Sequence, residues 1–90
     1  MLEINFTGKF KKDYKVCKKR GYNIALLQNM IDTLSIPDAL PKKNKDHSLF
    51  GSYVDKRECH IQPDWLLIYK QTENELILYR TGTHADLFDM

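Results

Sequence analysis

No run of apolar residues in this chain approaches the ~20 that a membrane-spanning helix requires. The opening stretch MLEINFTGKF lacks the charged-then-apolar pattern of a secretory leader. Cysteine is scarce. Cys17 and Cys59 stand alone, in no metal-binding or redox spacing, and read as reduced, semi-buried thiols of a cytoplasmic protein. Internal repeats and low-complexity tracts are absent as well.

What remains is an ordinary soluble composition, 42% hydrophobic and 29% charged. Ninety residues make a single domain over 1–90, able to bury roughly 60% of its unfolded surface around one core. The net charge of +2 says little, but its distribution says more. Between Lys9 and Arg20 seven basic residues face one acid, Asp13, so the rest of the chain is net negative. Lys42, Lys43 and Lys45 form a second basic cluster in a proline-bounded loop. Clusters of this kind form a solvated face, or else a surface for nucleic-acid phosphates or an acidic protein partner.

Leu2 to Phe6 reads as a short strand. Thr7 can cap a helix in which Phe10, Tyr14 and Cys17 share one face, and Gly21 ends it. Asn23 caps a second helix with a stripe of Ile24, Leu27, Ile31 and Leu34, widened by Leu26 and Met30. Both stripes read as core. The stretch SIPDALPKKNKDHSLF has no period and is longer than most connections in compact domains. Strands follow over Ser52–Ile61, Trp65–Gln71 and Glu75–Thr81, separated by hairpin-length breaks. The order β-α-α-β-β-β predicts an α+β domain, two N-terminal helices on a mainly antiparallel sheet with a short C-terminal segment.

Register then locates the polar groups. A hairpin turning near Glu73 places Arg80 beside Leu66 and Gly82 beside Asp64. One turning near Pro63 places His60 beside Leu66 too. Opposed residues lie only ~5 Å apart, so His60, Asp64 and Arg80 are expected at one end of the sheet, with His84 just beyond the last strand. A salt-bridged sheet end is the bland reading of such a cluster. His47 joins it only if the long loop folds back across the sheet.

Three segments, KDHSLFGSY, RECHIQPDWLLIY and RTGTHADLF, carry a family resemblance. In order and spacing they are similar to the YafQ branch of the RelE-like toxins of bacterial toxin–antitoxin pairs, and the likeness extends over the whole chain. Phe50 departs from it, since relatives more often carry a polar residue there. The resemblance implies a compact RelE-like microbial ribonuclease fold. It also implies an endoribonuclease that cuts messenger RNA in the ribosomal A site and is silenced by a cognate antitoxin. The 70S ribosome and the message would be its other partners, with no cofactor. Site residues carried over by the resemblance are His47, His60, Asp64, Trp65, Arg80, His84 and Phe88.

Such residues suit RNA, which holds its own nucleophile in the 2′-hydroxyl. Histidine, with an unperturbed pKa of about 6.5, can take or give the protons. Arginine offers a planar charged fork to phosphate oxygens. Arg80 is assigned to the phosphate and His84 to the general acid, with the base drawn from His60, His47 and Asp64. Trp65 and Phe88 are candidates for stacking on bases, against a core role for Trp65 and a tail-pinning role for Phe88. Lys42, Lys43 and Lys45 would hold RNA backbone. Two competing readings stand beside this one. A zinc site through His60 and Asp64 is opposed by the Pro63 turn and the lack of paired cysteines. A ParE-like toxin that acts by protein binding generally lacks this set of histidines.

Overall fold

In the computed structural model, which describes residues 2–36, the backbone of 47–48, and 56–88, Thr7 starts the first helix by doing two things at once. Its hydroxyl oxygen accepts from the Phe10 N–H at 3.1 Å, capping α1 (Gly8–Lys19). The same hydroxyl donates to the Tyr79 carbonyl at 2.9 Å, fixing the helix to the last strand. The C-terminus of α1 closes in a two-bond turn, Gly21 N–H to Lys18 O and Tyr22 N–H to Cys17 O, both 3.1 Å. Gly21 has φ +79° there, a conformation that favours glycine. Asn23 then caps α2 (Ile24–Leu34) through the Ala25 N–H.

The strands are β1 (Glu3–Phe6), β2 (His47–Ser48), β3 (Arg57–Gln62), β4 (Trp65–Gln71) and β5 (Glu75–Gly82), followed by a short helix α3 (His84–Phe88). They form one sheet in the order β1-β5-β4-β3-β2. Among the described residues only β1 and β5 run parallel and the other pairings are antiparallel, in keeping with the mainly antiparallel sheet that the sequence predicts. Two elements go beyond that prediction: the two-residue strand β2 inside the long connection, and α3 at the C-terminal end.

Trp65-Leu-Leu-Ile-Tyr69 of β4 is buried throughout, which suits the central strand of a sheet covered on both faces. Alternation splits it. Trp65, Leu67 and Tyr69 pack with Phe10, Cys17, Leu27, Ile31 and Leu34 of the helices, confirming both helical stripes as core. Leu66 and Ile68 point the other way, against Leu87 of α3, with Tyr79 and Phe88 beside them.

Register is where expectation and structure part. His60 does pair with Leu66. Gly82, however, lies opposite Leu66 and not Asp64, and Arg80 lies opposite Ile68 and not Leu66. The β4–β5 ladder is irregular between Ile68 and Tyr69. The register is already offset by one residue at the turn, since Gln71 pairs with Leu76, and the bulge adds a second offset, so that together they move Arg80 from Leu66 to Ile68. Because β1 ends opposite Leu78, α1 takes over the edge of β5. Thr7 satisfies the Leu78 and Tyr79 carbonyls, and Asp13 accepts the Thr81 N–H at 3.3 Å.

Leu67, fully buried in the central strand, tests this account. Leu67→Ala is expected to cost about 2–5 kcal/mol, read as a large drop in the urea midpoint.

Candidate active site

Alternation along β3 puts Glu58 and His60 on the face shared with α3, because their partners Ile68 and Leu66 belong to that cluster. The turn after β3 carries Asp64, and His84 is the first residue of α3. The imidazoles of His60 and His84 meet, ring centroids 5.8 Å apart. Asp64 Oδ1 receives the His84 backbone N–H at 3.0 Å and lies 2.7 Å from His84 Nδ1. An ionised carboxylate only accepts, so Nδ1 carries the proton and donates it to Asp64, leaving Nε2 for chemistry. The His84 amide, and then its imidazole, hold the Asp64 carboxyl below the usual carboxylate range.

His60 sits between two acceptors, Nδ1 at 3.3 Å from the Pro63 carbonyl and Nε2 at 3.3 Å from Glu58 Oε1. Glu58 is buried and was missed by sequence reasoning. Its spacing of two from His60 in a strand is the signal that would have found it. Phe88, one turn along α3, lies 6.3 Å from the His84 ring. Lys56 Nζ stands 4.4 Å over the Tyr79 ring and adds a cation to this side of the sheet.

The long connection does return to the sheet. His47 pairs through its backbone with Glu58, making β2 the edge strand beside β3. Lys42, Lys43 and Lys45 lie outside the described residues. Trp65 belongs to the core: it is 2% exposed, donates from Nε1 to Thr81 Oγ1 at 2.9 Å, and packs on Tyr22 at 4.9 Å. A ring so enclosed presents no face to a nucleobase, which corrects the stacking expectation for this residue.

The register correction moves Arg80 two residues along β4, from Leu66 to Ile68. Its guanidinium forks onto Asp13 of α1, Nε to Oδ2 at 2.6 Å and Nη2 to Oδ1 at 3.1 Å. It lines a cavity of about 220 Å³ with Cys17, Arg20, Thr81 and Asp86. Asp13, the lone acid in the basic run, was the unread signal. A second fork closes the same cavity, from Arg20 at the end of α1 to Asp86 on α3, at 2.6 and 3.1 Å. Arg20, and then the Thr83 N–H, hold the Asp86 carboxyl well below its usual range.

Glu58, His60 and His84 offer one carboxylate oxygen and two ring nitrogens within 4.8 Å of one another. That donor set suits a borderline transition metal such as zinc or copper. The carboxylate is Glu58 and not Asp64, which is engaged by His84.

Away from this face, Phe6, Phe10, Tyr14 and Ile31 floor a groove of about 550 Å³ rimmed by Lys11, Lys15 and Lys18. Phe6 is 47% exposed and stacks on Phe10 at 5.4 Å.

Comparison with known proteins gives a consistent picture. A family model described as the bacterial toxin of type II toxin–antitoxin system, YafQ, matches residues 2–89. The mRNA interferase toxin YafQ of Escherichia coli K12 is 43% identical over 88 residues, spanning 96% of this chain and 95% of that protein. The E. coli DinJ–YafQ toxin–antitoxin complex superposes with a TM-score of 0.89 at 41% identity, covering 97% of each chain. A metal-bound toxin from Helicobacter pylori superposes at 0.89 with 43% identity, covering 98% of this chain and 100% of that one.

The Asp64–His84 contact makes a pH-dependent prediction. A depressed carboxyl contributes fully above its ordinary value of about 3.9, and that contribution is lost as pH falls through the lower folded value. NMR titration of the Asp64 carboxyl should give a midpoint below the ordinary one, with the His84 amide shift following the same curve.

Proposed function

Because the chain belongs to the YafQ family of bacterial toxins from type II toxin–antitoxin systems, we propose that it is an endoribonuclease that enters the ribosomal A site and cuts the message there, stopping translation. The observation that carries this reading is the approach of two imidazoles to 5.8 Å, one of them oriented by a carboxylate. Two proton-transfer groups at one site are what cleavage by an internal hydroxyl requires.

In this reading the base takes the 2′-hydroxyl proton and the 2′-oxygen attacks phosphorus. The bond to the 5′-oxygen breaks, and the acid protonates that oxygen as it leaves. His84 is the acid, its Nδ1 held by Asp64 and its Nε2 directed to the leaving group. Asp64, already accepting from both the amide and the ring of His84, orients that ring. His60 is then the base, as the neutral imidazole whose Nδ1–H faces the Pro63 carbonyl and whose Nε2 takes the proton, with His47 on the adjoining strand as the other candidate. Arg80 supplies fixed charge to the phosphoryl oxygens. Its two-point hydrogen bond to Asp13 sets the guanidinium plane before substrate arrives, the kind of preorganisation that favours a transition state over a ground state. Phe88 stacks on a base beside His84. Lys42, Lys43 and Lys45, with the lysines of α1, contact ribosomal RNA backbone.

A divalent ion held by Glu58, His60 and His84 would supply Lewis-acid polarisation of a phosphoryl oxygen. The proton transfers above rely on the same ring nitrogens, and the proposed reaction is metal-independent.

The second partner is a cognate antitoxin. The lysine-rimmed groove supports this, because its aromatic floor suits apolar anchors and its rim suits an acidic segment. His60 faces the α3 side of the sheet, whereas Phe10 and Ile31 pack on the helix side.

Incubation with ribosomes and message, followed by end mapping, should yield 5′-hydroxyl ends paired with 2′,3′-cyclic or 3′-phosphates, undiminished when the toxin alone is first dialysed against EDTA and then assayed with ribosomes in magnesium. Ends bearing 5′-phosphate would reject the mechanism, and loss of cutting on chelation would reject metal independence. His84→Gln and Arg80→Ala should each lower the cleavage rate on the order of 10²–10³-fold. Arg80→Ala also strands Asp13, so its rate is compared at matched folded fraction. Phe6→Asp should weaken antitoxin binding by about tenfold or more while message cutting persists.

A further inference from the structure

α3 is five residues long, far below the length at which a helix holds itself together in water. The position of His84, its first residue, is therefore decided by whatever fixes that turn. Thr83 and Asp86 cap it reciprocally: Asp86 N–H donates to Thr83 Oγ1 at 3.1 Å, and Thr83 N–H donates to Asp86 Oδ2 at 3.0 Å. Gly82 allows the close approach. It has φ +155°, and a Cβ there would stand 2.9 Å from Asp86 Oδ2, so the strand end and the Asp86 carboxylate fit only without a side chain.

Asp86 is in turn gripped from outside α3. Arg20 places Nη1 2.6 Å from Oδ2 and Nη2 3.1 Å from Oδ1, a two-point contact that fixes direction as well as distance. Arg20 is well placed to do so. It is the C-cap of α1, braced by the Gly21–Tyr22 turn, and α1 is tied to β5 through Thr7 and Asp13. The line of contacts runs from a long, anchored helix through one guanidinium to the carboxylate that caps the helix bearing the acid.

We propose that Arg20 is a positioning residue for His84, acting through Asp86 and Thr83 and making no contact with the RNA that its charge would otherwise suggest. This rests on the nuclease reading above. Exposed ion pairs contribute little to global stability, and both side chains are substantially accessible, 40% and 29%. The role is to set one imbalance right: a five-residue helix is too short to hold an imidazole to the tolerance that proton transfer requires.

The test compares wild type with Arg20→Ala, Arg20→Lys and Asp86→Asn, measuring cleavage kinetics, the urea midpoint and hydrogen exchange at the His84 amide. Arg20→Ala and Asp86→Asn should lower kcat about tenfold or more, since small misplacements of a catalytic group have large effects. KM should stay within about threefold of wild type. Arg20→Lys, which keeps the charge but loses the fork, should recover part of the rate. The His84 amide, bonded to Asp64 in wild type, should exchange faster in Arg20→Ala at an unchanged midpoint. A raised KM with kcat preserved would overturn the proposal by making Arg20 an RNA contact. Unchanged kinetics in active variants, or unchanged His84 exchange, would overturn it too. If wild type itself does not cut RNA, the nuclease reading fails by itself, and exchange at His84 still decides whether Arg20 holds α3.

Discussion

Burial of β4 on both faces is the constraint from which the rest follows. Five successive apolar side chains cannot all be covered by one layer, so the helices take Trp65, Leu67 and Tyr69 while α3 takes Leu66 and Ile68. A strand covered twice must be central, and its neighbours must run along both edges. Once β3 lies on one side and β5 on the other, the turn before β4 and the end of β5 arrive at the same rim. His60, Asp64 and His84 come from three elements that need have no other business with one another. They meet because the core places their backbones there.

Charge then does the fine placement. Three of the described basic or imidazole groups are matched to acids from a different part of the chain: Arg80 to Asp13, Arg20 to Asp86, His84 to Asp64. His60 and Glu58 share a strand. None of these pairs needs to add much to stability, since partly exposed ion pairs seldom do. Their geometry matters more. A carboxylate accepting from two donors fixes orientation, which apolar packing, being non-directional, cannot do. The proposed division of labour follows: an apolar core sets position to within a strand spacing, and forked or doubly accepting carboxylates set the angles of the reacting groups.

The two sides of the sheet are accordingly specialised. One carries acid–base groups on a thin layer consisting of a short helix. The other carries the two longer helices and a groove with aromatic floor and lysine rim. In the proposed function this separation lets a partner be gripped on the helix side without demanding anything of the residues assigned to the chemistry.

Local pattern determined much of this protein. The caps at Thr7 and Asn23, the glycine stop at Gly21, both helical stripes and the pairing of His60 with Leu66 follow from residues within a few positions of one another, and the structure contains them all. The arrival of His60 and Asp64 at one sheet end, with His84 just beyond the last strand, was legible because the β3–β4 turn is short and His84 follows β5 directly. What only the tertiary structure decided involves residues distant in sequence. Arg80 sits opposite Ile68 because the turn and a bulge each displace the register by one residue, and it bonds Asp13 across 67 positions. Trp65 turns into the core to meet Tyr22 and Thr81. Periodicity reports which face a side chain takes. It carries no information on which partner from another element will be waiting there, and that choice is made by packing.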